Sequence, residues 1–375
     1  MAYPETYATM VNLISSKLQD ASNAVFSDAE IELFIAEGLR EISQYHPYIY
    51  RCEFNLESRV GTATSTLANN LVDATNDQFL STDVGKWIYN STDRTWAVVT
   101  AYVDETTLTL SKNIMASGES YQMFNQGCTD SKEININAPQ AKPGALGTRA
   151  FDFLYIDKIE YPILQDPPSY LNPGQWELQE NNIIRLKVGS EPPNTKASDA
   201  ADEVWIYFTL QHSLSRLTGF LGKIDLGAGY AAGLTSIHVD DMTADEVIYK
   251  GQMFTVDSDS DTTITRGIYI ADYQRTLTGG ESDVTFFPPL TDAVTDNSTV
   301  RFIANTLDYK LEGVFADLVA GRAAISKARY YINRVNVGGG AVWQQLMAWG
   351  KDKVNSALEQ LQSLHGTEMA YVDLP

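Results

Sequence analysis

The chain opens with two segments whose apolar residues recur at helical spacing. The first pattern predicts a helix over about residues 5–18. The second helix is expected to begin after Ser27, because Ser27 and Glu30 have the spacing of a capping box. Pro47 disfavours helical geometry in the residue before it, so this helix is expected to end near Tyr45. The N-terminal region is therefore predicted to be a helical hairpin.

Two longer helical patterns lie near the other end of the chain. One apolar stripe extends from Leu311 to Val335 and the other from Trp343 to Leu364, with three glycines at 338–340 between them. Gly366 is placed to end the last helix. Two hairpins that each expose an apolar stripe most simply bury these stripes against each other. The sequence thus predicts a four-helix scaffold built from both ends of the chain.

Between the helical ends, short β-type runs alternate with turn residues. In residues 60–126 the runs recur every ~8–12 residues, which is typical of a small antiparallel barrel or sandwich. A similar block occupies residues 226–303, and proline-rich loops separate further strands between the two blocks. The predicted fold class is α+β, a four-helix scaffold with antiparallel β-sandwich or barrel insertions. The expected parts are an N-terminal helical hairpin (1–59), an inserted small β-barrel (60–126), a β-rich part of the core (127–225), a second inserted β domain (226–303), a C-terminal helical pair (304–366) and a C-terminal tail (367–375).

Composition restricts the class of protein. The chain has 375 residues and a formal net charge of −21, which argues against coating nucleic acid, because phosphate binding requires Lys and Arg. The negative charge is compatible with a surface past which DNA slides without binding. We find neither a signal-peptide pattern nor an apolar run of ~18 residues, so we expect synthesis in a reducing cytoplasm and no membrane contact.

The charges are unevenly distributed. Residues 226–303 contain twelve acidic and four basic residues, net −8, whereas residues 310–365 contain seven basic and four acidic residues, net +3. One interpretation is that the helices dock on an acidic partner or a neighbouring subunit; the other is that the helices are simply mixed in charge. The basic residues that would form such a ring or helix interface are Arg322, Lys327, Arg329 and Arg334.

The sequence contains no recognisable catalytic or cofactor-binding motif, and we predict a protein that is not an enzyme and carries no metal or cofactor. Residues 257–261 resemble the beginning of a calcium loop, but Thr262 replaces the required glycine and Ile268 the bidentate acid. The four histidines lie on different predicted elements and are expected either to have a structural role or to lie on the surface: His46, His212, His238 and His365.

Several segments resemble the head–tail adaptor (connector) proteins of tailed bacteriophages. The run from Leu18 to Pro47, which includes Phe-Ser-Asp-Ala-Glu-Ile at 26–31, resembles the family's opening hairpin. The aromatic strand and His-containing turn at 204–214 resemble the segment before the family's C-terminal helices. The Ala- and Arg-rich stretch at 320–329 and the helix that begins at Trp343 are similar too.

The resemblance implies a structural virion protein at the head–tail junction. Members of this family form a ring, usually of twelve copies, in which the four helices make the ring body beneath the portal. The ring continues the DNA channel, binds no specific DNA sequence and offers a platform to the stopper or tail. The C-terminal tail is expected to dock on the portal through Met369, Tyr371, Val372 and Leu374. The β insertions look like the small barrels that phages add to virion proteins, and the alternatives for their partner are the tail, its fibres, the capsid or none.

Two alternatives remain open at the level of sequence. The chain could be another virion component, such as a tail completion or baseplate protein. It could also bind carbohydrate through the first insertion, where Trp87, Trp96 and Tyr121 would form a platform for stacking on sugars. A glycan-degrading enzyme would further require a pair of carboxylates across a cleft, which sequence alone does not locate.

Overall fold

A computed structural model describes residues 6–20, 25–137, 152–189, 203–257, 267–290, 292–332 and 342–365. These residues form helices at both ends of the chain and antiparallel strands between them, which confirms the α+β class with barrel insertions. The strands in chain order are β1 Tyr48–Asn55, β2 Val60–Thr62, β3 Asn70–Val72, β4 Trp87–Asn90, β5 Thr95–Asp104, β6 Thr107–Leu110, β7 Ser120–Phe124, β8 Glu133–Asn135, β9 Tyr155–Glu160, β10 Trp176–Gln179, β11 Ile183–Leu186, β12 Glu203–Leu210, β13 Leu221–Ile224, β14 Ser236–Asp240, β15 Val247–Ile248, β16 Met253–Val256, β17 Tyr269–Ala271, β18 Arg275–Thr276, β19 Ser282–Phe287 and β20 Thr299–Phe302.

Four helices form the frame: α1 (Tyr7–Lys17), α2 (Asp28–Tyr45), α3 (Tyr309–Ile332) and α4 (Val342–His365). The predicted capping box is present at the start of α2. The Glu30 amide donates to Ser27 Oγ at 3.3 Å, and the Ser27 amide donates back to the Glu30 carboxylate at 3.0 Å. These two bonds satisfy backbone donors that the first helical turn leaves unpaired, so they fix where α2 begins.

Helix α3 is the centre of the frame. Side chains from all four helices share one hydrophobic core, and the alanines on α3 at 316, 320, 323, 324 and 328 are fully buried. A helix buried on most sides lacks a strong polar face, and small side chains let its neighbours approach closely. A Cβ built on Gly321 would lie 2.8 Å from the Gly350 carbonyl oxygen, so α3 and α4 nearly touch there.

A three-stranded sheet adjoins the helices, in the order β1-β12-β9, and a second small sheet has the order β10-β11-β8. Strand β1 lies inside the segment 1–59, which the sequence predicts only as a helical hairpin. It pairs along its whole length with β12, from Tyr48 opposite Leu210 to Asn55 opposite Glu203. The N-terminal segment thus supplies a strand to the central sheet as well as two helices to the frame.

The first insertion is a curved six-stranded sheet in the order β2-β7-β4-β5-β6-β3. Its two edges meet just beyond β2, where the Thr64 amide donates to the Val72 carbonyl oxygen at 2.7 Å. Fully buried Leu71, Phe79 and Ile88 belong to a core of its own. The insertion is therefore a small domain with its own hydrophobic interior.

The second insertion contains a closed barrel in the order β13-β14-β19-β17-β16-β20. Its first strand begins at Leu221, ahead of the boundary predicted at 226. This strand is short, includes Gly222, and has an exposed Leu221, so its sequence carries little of the alternation that identifies strands. A Cβ on Gly222 would lie 2.7 Å from a Val239 methyl group, which explains the glycine.

Both insertions leave and rejoin the frame through paired neighbouring strands. Val60 on β2 pairs with Gln122 on β7, and Leu221 on β13 pairs with Arg301 on β20. The second barrel also packs directly on the central sheet, because Met253, Ile270 and Phe287 share a hydrophobic core with the side chains of that sheet. The two insertions are thus connected to the rest of the chain through paired strands, and the second also makes a broad apolar contact with the central sheet.

Candidate assembly surface

The predicted basic face of α3 is largely occupied by contacts within the chain. The Arg322 guanidinium donates to the Glu41 carboxylate on α2, with Nε 3.2 Å from Oε2. Lys327 Nζ lies 3.4 Å from Glu30 Oε1, and its ammonium group is 5.4 Å from the centre of the Phe26 ring. These two residues therefore fasten α3 to α2. Their availability to a neighbouring subunit is correspondingly reduced.

Arg329 is the predicted interface residue that the structure places on the surface. It is exposed near the end of α3, next to Tyr330, whose side chain is 48% exposed. Arg334 lies outside the described residues. At the start of α4, three apolar side chains are half-buried: Trp343, Leu346 and Met347.

The close approach of Gly321 and Gly350 places these groups at one end of the frame. Because α3 and α4 are packed there as neighbours along an antiparallel hairpin, the residues after 321 lie beside those before 350. We call residues 322–332 and 343–349 the hairpin end. It combines an exposed cation with aromatic and aliphatic side chains, a composition typical of protein interfaces.

The outer face of α2 has a complementary character. Leu33 is 66% exposed, and Ala29, Ala36 and Glu37 are exposed one turn to either side of it. Residues three and four apart share a helix face, so Ala29, Leu33 and Ala36 form a small apolar patch beside the carboxylate of Glu37.

The portal-docking residues predicted in the C-terminal tail, Met369, Tyr371, Val372 and Leu374, lie outside the described residues. Most of the calcium-like segment, residues 258–266, is likewise outside them. Its first residue, Asp257, forms an ion pair with Arg301 across two barrel strands. That role is structural, because it joins β16 to β20.

The predicted sugar-stacking platform is wrong in its third member. Tyr121 is 1% exposed inside the first insertion, where its hydroxyl donates to Asp73 at 2.7 Å. Trp87 and Trp96 are half-buried and packed edge to face, with ring centres 5.8 Å apart, against a cluster that includes Ile183 on β11. Trp87 and Trp96 therefore serve the contact between the first insertion and β11, and Tyr121 is withdrawn from solvent.

A buried charge cluster at the neck of the first insertion was not predicted. Arg59 lies between the carboxylates of Glu57 and Asp83, at 2.7 and 2.5 Å, and the side chains of all three are at most 5% exposed. Lys86 Nζ also reaches Glu57. Burial alone would raise the pKa of Glu57, but Lys86 and Arg59 outweigh it and lower that pKa to about 2. The four charges compensate one another, so the cluster is a structural lock.

Two histidines connect the frame to the central sheet. His46 Nε2 lies 2.9 Å from the Leu361 carbonyl oxygen on α4, and His212 Nε2 lies 2.7 Å from the His46 carbonyl oxygen. Because a carbonyl only accepts, both Nε2 atoms donate. Burial lowers the pKa of His212, which favours its neutral form. His238 is on the surface of the second barrel, and the side chain of His365 is outside the described residues.

A cavity of about 350 Å³ lies between the end of β12 and the second barrel. Its charged lining residues are already engaged: Arg216 pairs with Glu32, and Lys250 Nζ lies 3.5 Å from Asp152. Compensated charges leave little electrostatic attraction for a small ionic ligand. The cavity therefore fits a seam between domains better than a ligand site.

Within the described part of the chain, the helices fall short of the length and apolar character needed to span a membrane. No family model, curated protein or solved structure matches the sequence.

Proposed function

We propose that the chain is a structural virion protein that forms a ring between the portal and the tail of a bacteriophage. In this function the helical frame forms the ring body, the channel carries DNA without sequence-specific contacts, and the outer domains face tail or capsid components. The proposal rests first on the resemblance of the terminal helical segments to adaptor proteins. It includes no catalytic step.

The structural support is the frame itself. Helices from the two ends of the chain share one core around α3, and both β insertions are attached at narrow necks. This arrangement leaves two helical surfaces of different character, the hairpin end and the outer face of α2, on one subunit. A contact between unlike surfaces repeats head to tail and closes into a ring when its rotation permits.

The charges favour this head-to-tail contact. Residues 310–365 carry net +3 in a chain of net −21, and Arg329 is exposed at the hairpin end. Glu37 is exposed beside Leu33 on α2. Opposite charges across an interface guide association and fix its register. The proposed ring therefore places Arg329 of one copy against Glu37 of the next.

A charge exchange tests this contact in the purified full-length protein. We expect wild-type protein to form rings visible by negative-stain electron microscopy and a single ring mass in mass photometry. Arg329→Glu should shift the distribution towards monomer, because it sets two acids against each other. Adding Glu37→Arg should restore the ring.

Arg185→Glu is the matched control, since Arg185 is an exposed arginine of the β10-β11-β8 sheet and lies outside both helical surfaces. A wild-type protein that stays monomeric, both alone and in purified virion necks, would refute the ring. Rings that withstand Arg329→Glu would refute only the proposed contact.

A different virion location is distinguished by imaging. Labelled protein at the neck supports the adaptor function, whereas labelled protein at the tail tip would identify a baseplate or tail completion component. Carbohydrate binding receives no support from the arrangement of Trp87, Trp96 and Tyr121, because the third ring is buried.

A further inference from the structure

Three neighbouring strands of the second barrel bring a row of ionisable side chains together on its outer face. His238 lies on the central strand, β14, and pairs with Asp283 on β19. On its other side, the amide of Asp225, just after β13, donates to the His238 carbonyl oxygen at 3.2 Å. The row therefore follows from strand register alone, with His238 between two acids.

The imidazole of His238 is fixed at one nitrogen and open at the other. Its Nδ1 lies 2.8 Å from Asp283 Oδ1, and its Nε2 lies 3.8 Å from Glu281 Oε2. The His238 amide also donates to the Tyr230 hydroxyl at 2.8 Å, which holds the strand in place. One ligand atom each from Asp225, His238 and Glu281 lie within 4.8 Å of one another.

Negative charge is in excess around this imidazole. Lys223 Nζ lies 3.2 Å from Asp241 Oδ2 and compensates one acid. The carboxylates on this part of the barrel are Asp225, Asp240, Asp241, Glu281 and Asp283. Nearby like charges repel, so a bound cation would relieve the repulsion.

We propose that this surface binds a divalent transition-metal ion of the zinc class, with His238 Nε2 and the carboxylates of Asp225 and Glu281 as ligands. An imidazole with two carboxylates suits zinc and its neighbours, whereas magnesium and calcium prefer oxygen ligands throughout. Asp283 takes the position that a carboxylate commonly occupies behind a metal-binding histidine, where it orients the ring and selects the tautomer. Three protein ligands leave a fourth position for water.

Side-chain rotation alone is needed to bring the three ligand atoms to metal-binding distance. Zinc bonds to nitrogen and oxygen of ~2.0–2.2 Å bring ligand atoms to roughly 3–3.5 Å from each other. Asp225 and Glu281 are exposed, and Glu281 follows the turn at Gly279 and Gly280, so both carboxylates are free to rotate inwards. The bound ion would join β13, β14 and β19 and thereby stabilise the barrel. This site is independent of ring formation.

Isothermal titration of full-length, tag-free protein with Zn²⁺ tests the site, with one ion expected per chain. Glu281→Gln and His238→Ala should each weaken binding at least about tenfold, and Asp283→Asn about 10–100-fold, as for other residues that orient a metal ligand. Co²⁺ should substitute and give visible absorption bands that are lost with His238→Ala. Asp157→Asn, an exposed acid on β9, is the control and should leave binding unchanged.

Failure to bind Zn²⁺ at millimolar concentration would overturn the proposal, as would Zn²⁺ binding that Glu281→Gln and His238→Ala leave intact. Preference for Ca²⁺ over Zn²⁺ would overturn the assigned metal class. Glu281→Gln lies on an exposed turn, so it keeps the test decisive if His238→Ala fails to fold.

Discussion

Arg59 illustrates what a single buried charge can do at a domain neck. It is surrounded by Glu57, Asp83 and the Gln78 carbonyl oxygen, and water is nearly excluded. Removing one member of such a group leaves the others charged and unsolvated, which costs more than the pair contributes when intact. The sequence did not reveal this cluster, because Glu57 and Asp83 are far apart along the chain and charged residues in loops are usually solvated.

We predict that Arg59→Met lowers the free energy of unfolding by about 3–5 kcal/mol, since it leaves two buried carboxylates, Glu57 and Asp83, to share the single positive charge of Lys86. Urea denaturation followed by circular dichroism measures the change. Arg185→Met is the matched control, because its partner Asp130 is solvent-accessible and such pairs contribute about 0–1 kcal/mol. Similar losses in the two variants would contradict the assignment of Arg59 as a buried lock.

We predict that His212 makes the protein less stable in mild acid. Its folded pKa is lowered by burial, so the unfolded chain, with a value near 6.5, binds a proton more readily. This contribution to stability is complete above pH 6.5 and is lost as the pH falls below it. Urea midpoints at pH 7.5 and 5.5 should differ more in the wild type than in His212→Gln. Parallel pH profiles would exclude His212 as the source.

At the scale of elements, the helices were predicted well and their packing was not. The capping box and the apolar stripes are local signals, and they located α2 and α4 closely. The burial of α3 depends on alanines such as Ala320 and Ala324, which contribute little to a hydrophobic pattern and reveal their role only when a neighbour covers them. Strand β1 was missed although Tyr50 and Cys52 alternate with exposed residues, because its partner β12 is distant in sequence.

We predict that Gly350→Ala destabilises the frame by about 1–3 kcal/mol, because the added methyl group would lie 2.8 Å from the Gly321 carbonyl oxygen and push α3 from α4. Gly313→Ala on exposed α3 surface should instead stabilise by up to about 1 kcal/mol, since its Cβ meets nothing and alanine favours helix. Thermal unfolding of both variants gives the comparison. If both substitutions change the stability in the same direction, the result would argue against close contact between α3 and α4.

The candidate assembly surface could be predicted only in part from the sequence. The cluster of cations on α3 was visible, but their partners Glu30 and Glu41 lie nearly the whole chain away, so sequence could not separate the engaged Arg322 and Lys327 from the exposed Arg329. The sequence predicts the helix that contains Leu33 but does not indicate that this side chain is exposed. Ion pairing between distant elements is a tertiary property, and local patterns do not encode it.

At the scale of the whole molecule, the narrow necks predict unequal effects of removing each domain. Replacing residues 60–122 with a short Gly-Ser linker should leave a folded frame, because Val60 and Gln122 are paired. The remaining chain loses cover over Ile183 and Cys128, and Glu57 and Arg59 keep each other as partners but lose Asp83 and Lys86. Replacing residues 222–300 should destabilise it further, because the central sheet loses Met253, Ile270 and Phe287. Circular dichroism and thermal unfolding of both deletions provide the measurement, and a less stable first deletion would contradict this order.

Because α3 is made late and covers α1 and α2, its burial affects the nascent chain during synthesis. The α1–α2 hairpin leaves the ribosome early, yet about 260 residues separate Tyr45 from Tyr309, and synthesis proceeds at ~5–20 residues per second. During those tens of seconds the apolar faces of α1 and α2 lack the helix that covers them, while the two β insertions form around their own cores. A ribosome that stops before α3 would therefore release a chain with folded outer domains and an exposed, chaperone-binding N-terminus.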